Sequence, residues 1–292
     1  MEKCQSDRWK DEIVRVLETF ISICEQNDLS YFIAYGTAIG AVRHNGFIPW
    51  DDDVDVMMPR SDYNKFIDLL KEDVDNCRLL RPLPYNYYYL PFAKLISTRT
   101  NLLEKRTLRC VLGAFVDIFP LDYLPDDIPT AEKIIRKFHK KLRCLLFLSS
   151  YYSILDIQLL WRNKNYKEII YAIYFSPFKR MRRRLLLHEL SSLEKETIQY
   201  ENSNFVGYLG GDYMGRGDMF PKSWFEGYSL VKFEKIFVRL CKGYDAYLFQ
   251  IYNDYMKLPP VENRVSWHDV EYKSFETLMT YKELKKKIAH NK

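Results

Sequence analysis

The stretch Trp50-Asp51-Asp52-Asp53-Val54-Asp55-Val56-Met57 decides how this chain is read. From Asp53 to Met57, acidic residues alternate with Val and Met, the period-two signature of a strand with one polar face. Residues two apart on a strand share a face, so Asp51, Asp53 and Asp55 project together and Asp52 points away. Trp50, Val54, Val56 and Met57 half-bury the strand, which argues against an exposed acidic turn. Three carboxylates on one face repel one another and are tolerable chiefly beside a hard divalent cation. Mg²⁺ is typically held by one or two carboxylates together with substrate phosphates. Such a strand suits phosphoryl or nucleotidyl transfer, and also sugar transfer from a nucleoside diphosphate. An aspartyl phosphatase would place Thr or Val two residues beyond its Asp-x-Asp pair. Met57 stands there, which counts against that class.

Outward from this strand, residues 7–27 read as an amphipathic helix, with Ile13, Leu17, Phe20 and Cys24 at helical spacing. Leu29–Tyr35 reads as a buried strand ended by Gly36-Thr37, and Ala38–Arg43 as a short helix. Asn45–Trp50 is a loop, and Ser61 is placed to cap a helix from Asp62 to Lys71. Phe92–Ile96 and Gly113–Phe119 read as strands, the second ending at Pro120. Residues 130–200 are mostly helical by pattern. Gly207–Gly217 reads as a glycine-rich loop and Lys242–Met256 as a helix stopped by Pro259-Pro260. The expected fold is α/β (α+β), one domain over 1–292. A mixed sheet core spans 1–125, a basic helical insert 126–200, and a C-terminal segment completing the site 201–285.

The 292 residues are 47% hydrophobic and 28% charged, enough to bury a sizeable core and to exclude a disordered chain. The longest uncharged stretch, Leu29–Val42, has 14 residues, short of the roughly 20 a membrane-spanning helix needs. The first 28 residues are charged and amphipathic, unlike a signal peptide, so a soluble cytoplasmic protein is expected. Six dispersed cysteines with no CxxC read as reduced thiols rather than a disulfide framework or a zinc site. A net charge of +5 is too mild for a nucleic-acid binder. From Thr130 to Leu190, however, 14 Lys and Arg face only 4 Asp and Glu. These basic helices flank the uncharged run Cys144–Leu155, a pattern suited to peripheral contact with the inner face of an anionic membrane.

Tyr35-Gly36-Thr37-Ala38-Ile39-Gly40-Ala41-Val42-Arg43-His44, followed by Gly46-Phe47-Ile48-Pro49-Trp50-Asp51-Asp52-Asp53-Val54-Asp55, closely resembles the signature of the LicD family. The resemblance continues through Met58-Pro59-Arg60-Ser61-Asp62-Tyr63, Phe92-Ala93-Lys94 and Val116-Asp117-Ile118-Phe119-Pro120-Leu121-Asp122. It resumes at Asp254-Tyr255-Met256-Lys257-Leu258-Pro259-Pro260 with Arg264, and leaves out the basic insert. The family transfers phosphocholine or related groups and looks like a branch of the polymerase-β-type nucleotidyltransferase fold. The resemblance implies a Gly36-Thr37 step holding phosphate, with Asp53 and Asp55, and with Asp117 on a neighbouring strand, as the catalytic and metal-binding carboxylates. Asp51 is a further metal ligand in this reading. Asp117 either completes a second metal site or takes the acceptor proton. Mg²⁺ is the expected cofactor, with Mn²⁺ able to replace it.

Arg43, His44, Lys94 and Arg264 are the cations expected to bind the donor diphosphate. For Lys94 the alternative is an ion pair with an acidic neighbour, since an unpaired ammonium on an apolar strand is costly to bury. Tyr85, Tyr87, Tyr88 and Tyr89 crowd the segment before Lys94. Tyr87 and Tyr88 are candidates for holding a choline-like group by cation–π attraction, with core packing as the alternative. Two departures from the family pattern stand out. Tyr35 replaces a frequent glycine, and Tyr252-Asn253-Asp254-Tyr255-Met256 replaces Tyr-Gly-Asp-Tyr-Met, where Asn still tolerates a positive φ. His268 trails Arg264 by four, close to a family histidine. The implied reaction moves a phosphocholine-like group from a CDP-linked donor to a hydroxyl of a glycan or lipid-linked glycan. The rivals are a glycosyltransferase using a nucleoside-diphosphate sugar and a non-catalytic glycan- or nucleotide-binding protein.

Overall fold

The computed structural model describes residues 5–83, 86–175, 177–211, 218–266 and 270–290. Tyr85 and His268 lie outside the described residues. The chain opens with helix α1 (Gln5–Gln26), which buries Trp9, Ile13, Leu17, Phe20 and Cys24. Each large side chain so buried contributes about 1.5–3 kcal/mol, enough to fix α1 against the sheet.

Next come β1 (Phe32–Ile33), α2 (Tyr35–His44), β2 (Asp55–Pro59), α3 (Arg60–Leu69), β3 (Cys77–Leu80), β4 (Ala93–Ser97), β5 (Asn101–Leu103) and β6 (Phe115–Leu124). The strand expected over Leu29–Tyr35 is cut to two residues because Tyr35 turns to φ 45° and opens α2. Gly36 and Thr37 therefore sit in the first helical turn instead of a loop before it. Ser61 does not cap α3. Pro59 holds the N-cap position without a side-chain cap, and Ser61 lies within the helix.

The insert comprises α4 (Ile128–Ser149), α5 (Ile154–Arg162), α6 (Tyr166–Phe175) and α7 (Lys179–Glu196). The chain then returns to sheet as β7 (Phe205–Tyr208) and β8 (Asp218–Pro221), so Gly207 lies on a strand instead of in a loop. A hairpin, β9 (Tyr228–Phe233) and β10 (Ile236–Cys241), precedes α8 (Tyr244–Tyr252), β11 (Tyr272–Ser274) and α9 (Tyr281–His290).

The main sheet runs β1-β2-β6-β4-β3, with β7 and β8 continuing from the far end of β6. It is mixed: β2 and β6 pair in parallel, and the other pairs are antiparallel. β6 runs on through Pro120, past the stop that proline signalled in sequence. The Asp117 amide donates to Val54, so by alternation position 120 faces away from β2. There β4 has ended at Ala93 opposite Ile118, and β7 begins only opposite Asp122. The missing N–H falls in that gap and costs no ladder bond.

A second core joins Leu124 to Ile135, Phe138, Leu145, Leu186 and Leu190 of the insert. Arg60 ties insert to sheet: Nε and Nη2 donate to both Asp122 oxygens at 2.6 and 2.8 Å, and Glu194 lies 3.5 Å away. Among the described residues no helix is long and apolar enough to cross a membrane.

Candidate active site

The parallel pairing of β2 with β6 sets Asp55 opposite Asp117, and the antiparallel pairing of β4 with β6 sets Lys94 opposite Asp117. Asp53 lies two residues before Asp55 in the extended approach to β2. One carboxylate oxygen each from Asp53, Asp55 and Asp117 falls within 4.8 Å of the others. Such an all-oxygen, like-charged donor set suits a hard divalent cation. Burial and the crowding of the cluster raise carboxyl pKa values within it. Burial and then Asp53 push the Asp51 carboxyl up to about 8, and burial, Asp53 and Asp117 push Asp55 well above the usual carboxylate range.

Asp51 shares a hydrogen bond with Asp53 and stands beside this triad on the α2 side. Asp52 accepts from Ser266 at 2.8 Å. The Asp55 amide donates to Thr37 Oγ1 at 2.8 Å, which joins α2 to β2 and leaves the hydroxyl hydrogen of Thr37 for another acceptor. Gly36 has no room for a side chain, since a Cβ there meets Asp51 Oδ2 at 2.9 Å. Gly36→Ala should fold with stability changed by no more than about 1 kcal/mol, because the obstacle is a movable carboxylate. It should weaken Mg²⁺ binding several-fold by turning Asp51 aside, as calorimetric titration would read. An unchanged affinity would detach Asp51 and Gly36 from the site.

Lys94 is almost wholly buried and sits 2.5 Å from Asp117, with Nζ 3.5 Å over the Phe115 ring. The ion pair with an acidic neighbour is thus the arrangement found. Arg43 donates to the Tyr255 carbonyl at 2.8 Å and to His44 at 2.9 Å. Burial and the charge of Arg264 lower the Arg43 pKa, and burial and Arg43 lower that of His44. Arg264 in turn lies over the Trp50 ring and donates to the Pro259 carbonyl. Gly36 and Arg43 lie seven residues apart on one face of α2, so phosphate groups can run along that face.

The tyrosine cluster divides. Tyr87 turns outward against the Tyr151 ring, and Tyr88 is fully buried with its hydroxyl unpartnered. Both fit the packing alternative better than a ligand role. Tyr89 does reach a cavity of about 1000 Å³ that extends from Lys94 and Asp117 to the insert. Its walls include Phe92, Phe147, Tyr152, Tyr171 and Phe175, with Glu104 and Glu168 among them. Most of these side chains belong to α4 and α6, whose placement over the sheet has no local sequence signal.

The two departures in motif are explained by backbone. Tyr35, in the position of a frequent family glycine, holds φ 45° and is kept there by its amide donating to Tyr247 and its ring lying edge-on to Phe119. Asn253 holds φ 56°, the left-handed value its glycine counterpart would supply.

A family model described as LicD/FKTN/FKRP, nucleotidyltransferase domain, matches residues 28–142, the segment that carries all three carboxylates. Over this segment the chain is similar to the LicD family. It is 29% identical to the lipopolysaccharide cholinephosphotransferase LicD of Haemophilus influenzae over 259 residues, 87% of this chain and 92% of that protein. Shorter likenesses are found to uncharacterised proteins of Rickettsia typhi, 43% over 47 residues, and Rickettsia prowazekii, 49% over 37 residues. These cover 16% and 13% of this chain, and 15% and 14% of the relatives.

Proposed function

We propose that this chain is a Mg²⁺-dependent transferase of the LicD type that moves a phosphocholine-like group from a CDP-linked donor to a hydroxyl of a glycan or lipid-linked glycan. The observation that carries the reading is the convergence of Asp53, Asp55 and Asp117, the last of which lines one end of an aromatic-walled cavity. The extended likeness to a lipopolysaccharide cholinephosphotransferase supports the substrate class.

Asp53, Asp55 and Asp117 would hold the Mg²⁺, which supplies charge neutralisation at the diphosphate. The other tasks fall to the chain itself. The first-turn amides of α2 and the Thr37 hydroxyl hydrogen bind phosphate oxygens, and Arg43 and Arg264 balance the nucleotide's remaining charge. Aromatic faces of the cavity, with Glu104 and Glu168, suit the quaternary ammonium of the transferred group. The acceptor oxygen forms a bond to the phosphorus next to choline, and the bond from that phosphorus to the bridging oxygen breaks. Cytidine monophosphate leaves with the electron pair. Asp117, at the junction of triad and cavity, takes the acceptor's proton, and Lys94 fixes its position.

Calorimetric titration with CDP-choline, CDP-ribitol, CMP and a uridine-diphosphate sugar tests the donor. Mg²⁺-dependent preference for a cytidine donor supports the reading, and binding of the uridine donor alone would replace it with sugar transfer. The same titration should depend on pH. A raised carboxyl pKa means that protons compete with metal below it, so Mg²⁺ affinity should rise as pH goes from about 6 to 9, through the value near 8 of Asp51. Proton release, read from the heat in buffers of different ionisation enthalpy, should accompany binding below pH 8. A pH-independent affinity would exclude the raised carboxyls from the metal site.

A further inference from the structure

Helix α5 buries none of its residues, although Ile154, Leu155, Leu159 and Trp161 lie on it. All four are exposed, from 44% to 80%, at spacings that form one helical stripe. Helix α6 repeats the pattern with exposed Tyr166, Ile170, Ile173 and Tyr174, and Phe178, Met181 and Leu185 extend it onto the start of α7. The stripes are joined: the Trp161 ring meets Tyr166 at 5.2 Å, and Arg182 lies over Tyr174 at 4.9 Å. Soluble surfaces seldom leave so many large apolar side chains together without a partner.

The charge around this face is one-sided. Residues 154–185 carry eight Lys and Arg against two acids. Arg162, Lys164, Lys167, Arg180 and Arg184 are exposed. Both acids are engaged inward, Asp156 by Arg106 and Ser153, Glu168 by Tyr152 and Asn165. The apolar surface also lies elsewhere than the uncharged run Cys144–Leu155 suggested. Leu145 and Leu148 of that run are core residues, and its large exposed apolar side chains are Leu146 and, at its end, Ile154 and Leu155.

We propose that the α5–α6 face docks on an anionic lipid bilayer, its apolar stripes entering the headgroup boundary and its cations meeting lipid phosphates. A second copy of this chain is a poorer occupant, since two such faces would bring like charges together. Exposed Trp and Tyr amid Lys and Arg are the residue types suited to the water–lipid boundary. Helix α6 also helps to wall the cavity that ends at Asp117 and Lys94, so docking places that cavity beside the membrane surface. The docking itself does not depend on the transferase reading.

The test is co-sedimentation of the full chain with vesicles of 70:30 phosphatidylcholine to phosphatidylglycerol and with phosphatidylcholine alone. Binding should require the anionic lipid and weaken with salt, losing about fivefold for each cation removed. Ile170→Glu with Ile173→Glu, and separately Arg180→Glu with Arg184→Glu, should each lower binding at least tenfold with unchanged circular dichroism. CDP-choline turnover on a soluble acceptor should be unaltered in both pairs, which separates failure of docking from failure of the chemistry. No sedimentation at 50 mM salt, equal binding by the variants, or a dimer in solution dispersed by the Ile170 and Ile173 changes would overturn the proposal.

Discussion

Asp53→Asn should abolish transfer and at the same time raise the melting temperature of the metal-free protein. The activity loss is expected to be at least about 10²–10³-fold, the scale on which removing one electrostatic stabiliser of a transition state is felt. The stability gain follows from the cost of the cluster. Asp53 is a principal cause, after burial, of the raised pKa values of both Asp51 and Asp55. A carboxyl whose folded pKa is raised destabilises the fold increasingly as pH climbs from its unfolded value near 4 toward its folded one. For Asp51 that window ends at about 8, so the cost is nearly full at neutral pH. Removing the Asp53 charge should return about 1–2 kcal/mol, or roughly 2–8 °C for a protein of this size. Added MgCl₂ should stabilise the parent and leave the variant unmoved in a thermal-shift measurement. A variant that is both inactive and less stable would mean that Asp53 is structural.

The largest loss of stability is expected at a residue outside the chemistry. Arg60→Met removes the cation that holds Asp122 with two hydrogen bonds, both side chains being nearly solvent-free at 6% and 0% exposed. An uncompensated buried carboxylate costs about 3–5 kcal/mol. Thr197, which donates to Asp122 at 3.3 Å, cannot replace the charge. Glu194, pushed up to about 7 by burial against the pull of Arg60, would rise further and take up a proton. Urea denaturation should show the drop. Arg60→Met with Asp122→Leu should recover much of it, because paired removal leaves no orphan charge. Failure of the double variant to recover would assign the loss to packing of the Arg60 stem instead.

The carboxylate strand was legible because alternation is a local property, although β2 begins at Asp55, two residues after the expected start at Asp53. Its partner strand was legible only through motif resemblance, since nothing near Asp117 says that it will lie opposite Asp55. Two local rules misled. Proline ordinarily ends a strand, but Pro120 sits where β6 changes partners. A serine before a helical run ordinarily caps it, but α3 begins at Arg60, two residues sooner than expected. The β9–β10 hairpin went unseen because Glu234-Lys235, its two-residue turn, lacks the usual Asn-Gly or Asp-Gly signal, although Glu234 adopts φ 52° there. The cavity was hidden for a different reason. Its walls come from α4, α6 and the segment before β4, and only tertiary packing brings them together.

The pairing of β2 with β6 has a kinetic consequence. Asp55 and Asp117 are neighbours only across that central ladder, with more than half a hundred residues of chain, including β4, between them. Contacts so distant in sequence form late, after the entropy of closing the intervening loop has been met. No short fragment and no early helical intermediate can bring the two carboxylates together. A divalent cation captured by them is therefore a signal that the middle of the sheet has finished assembling. A chain stalled before that point would offer only scattered, ordinary aspartates.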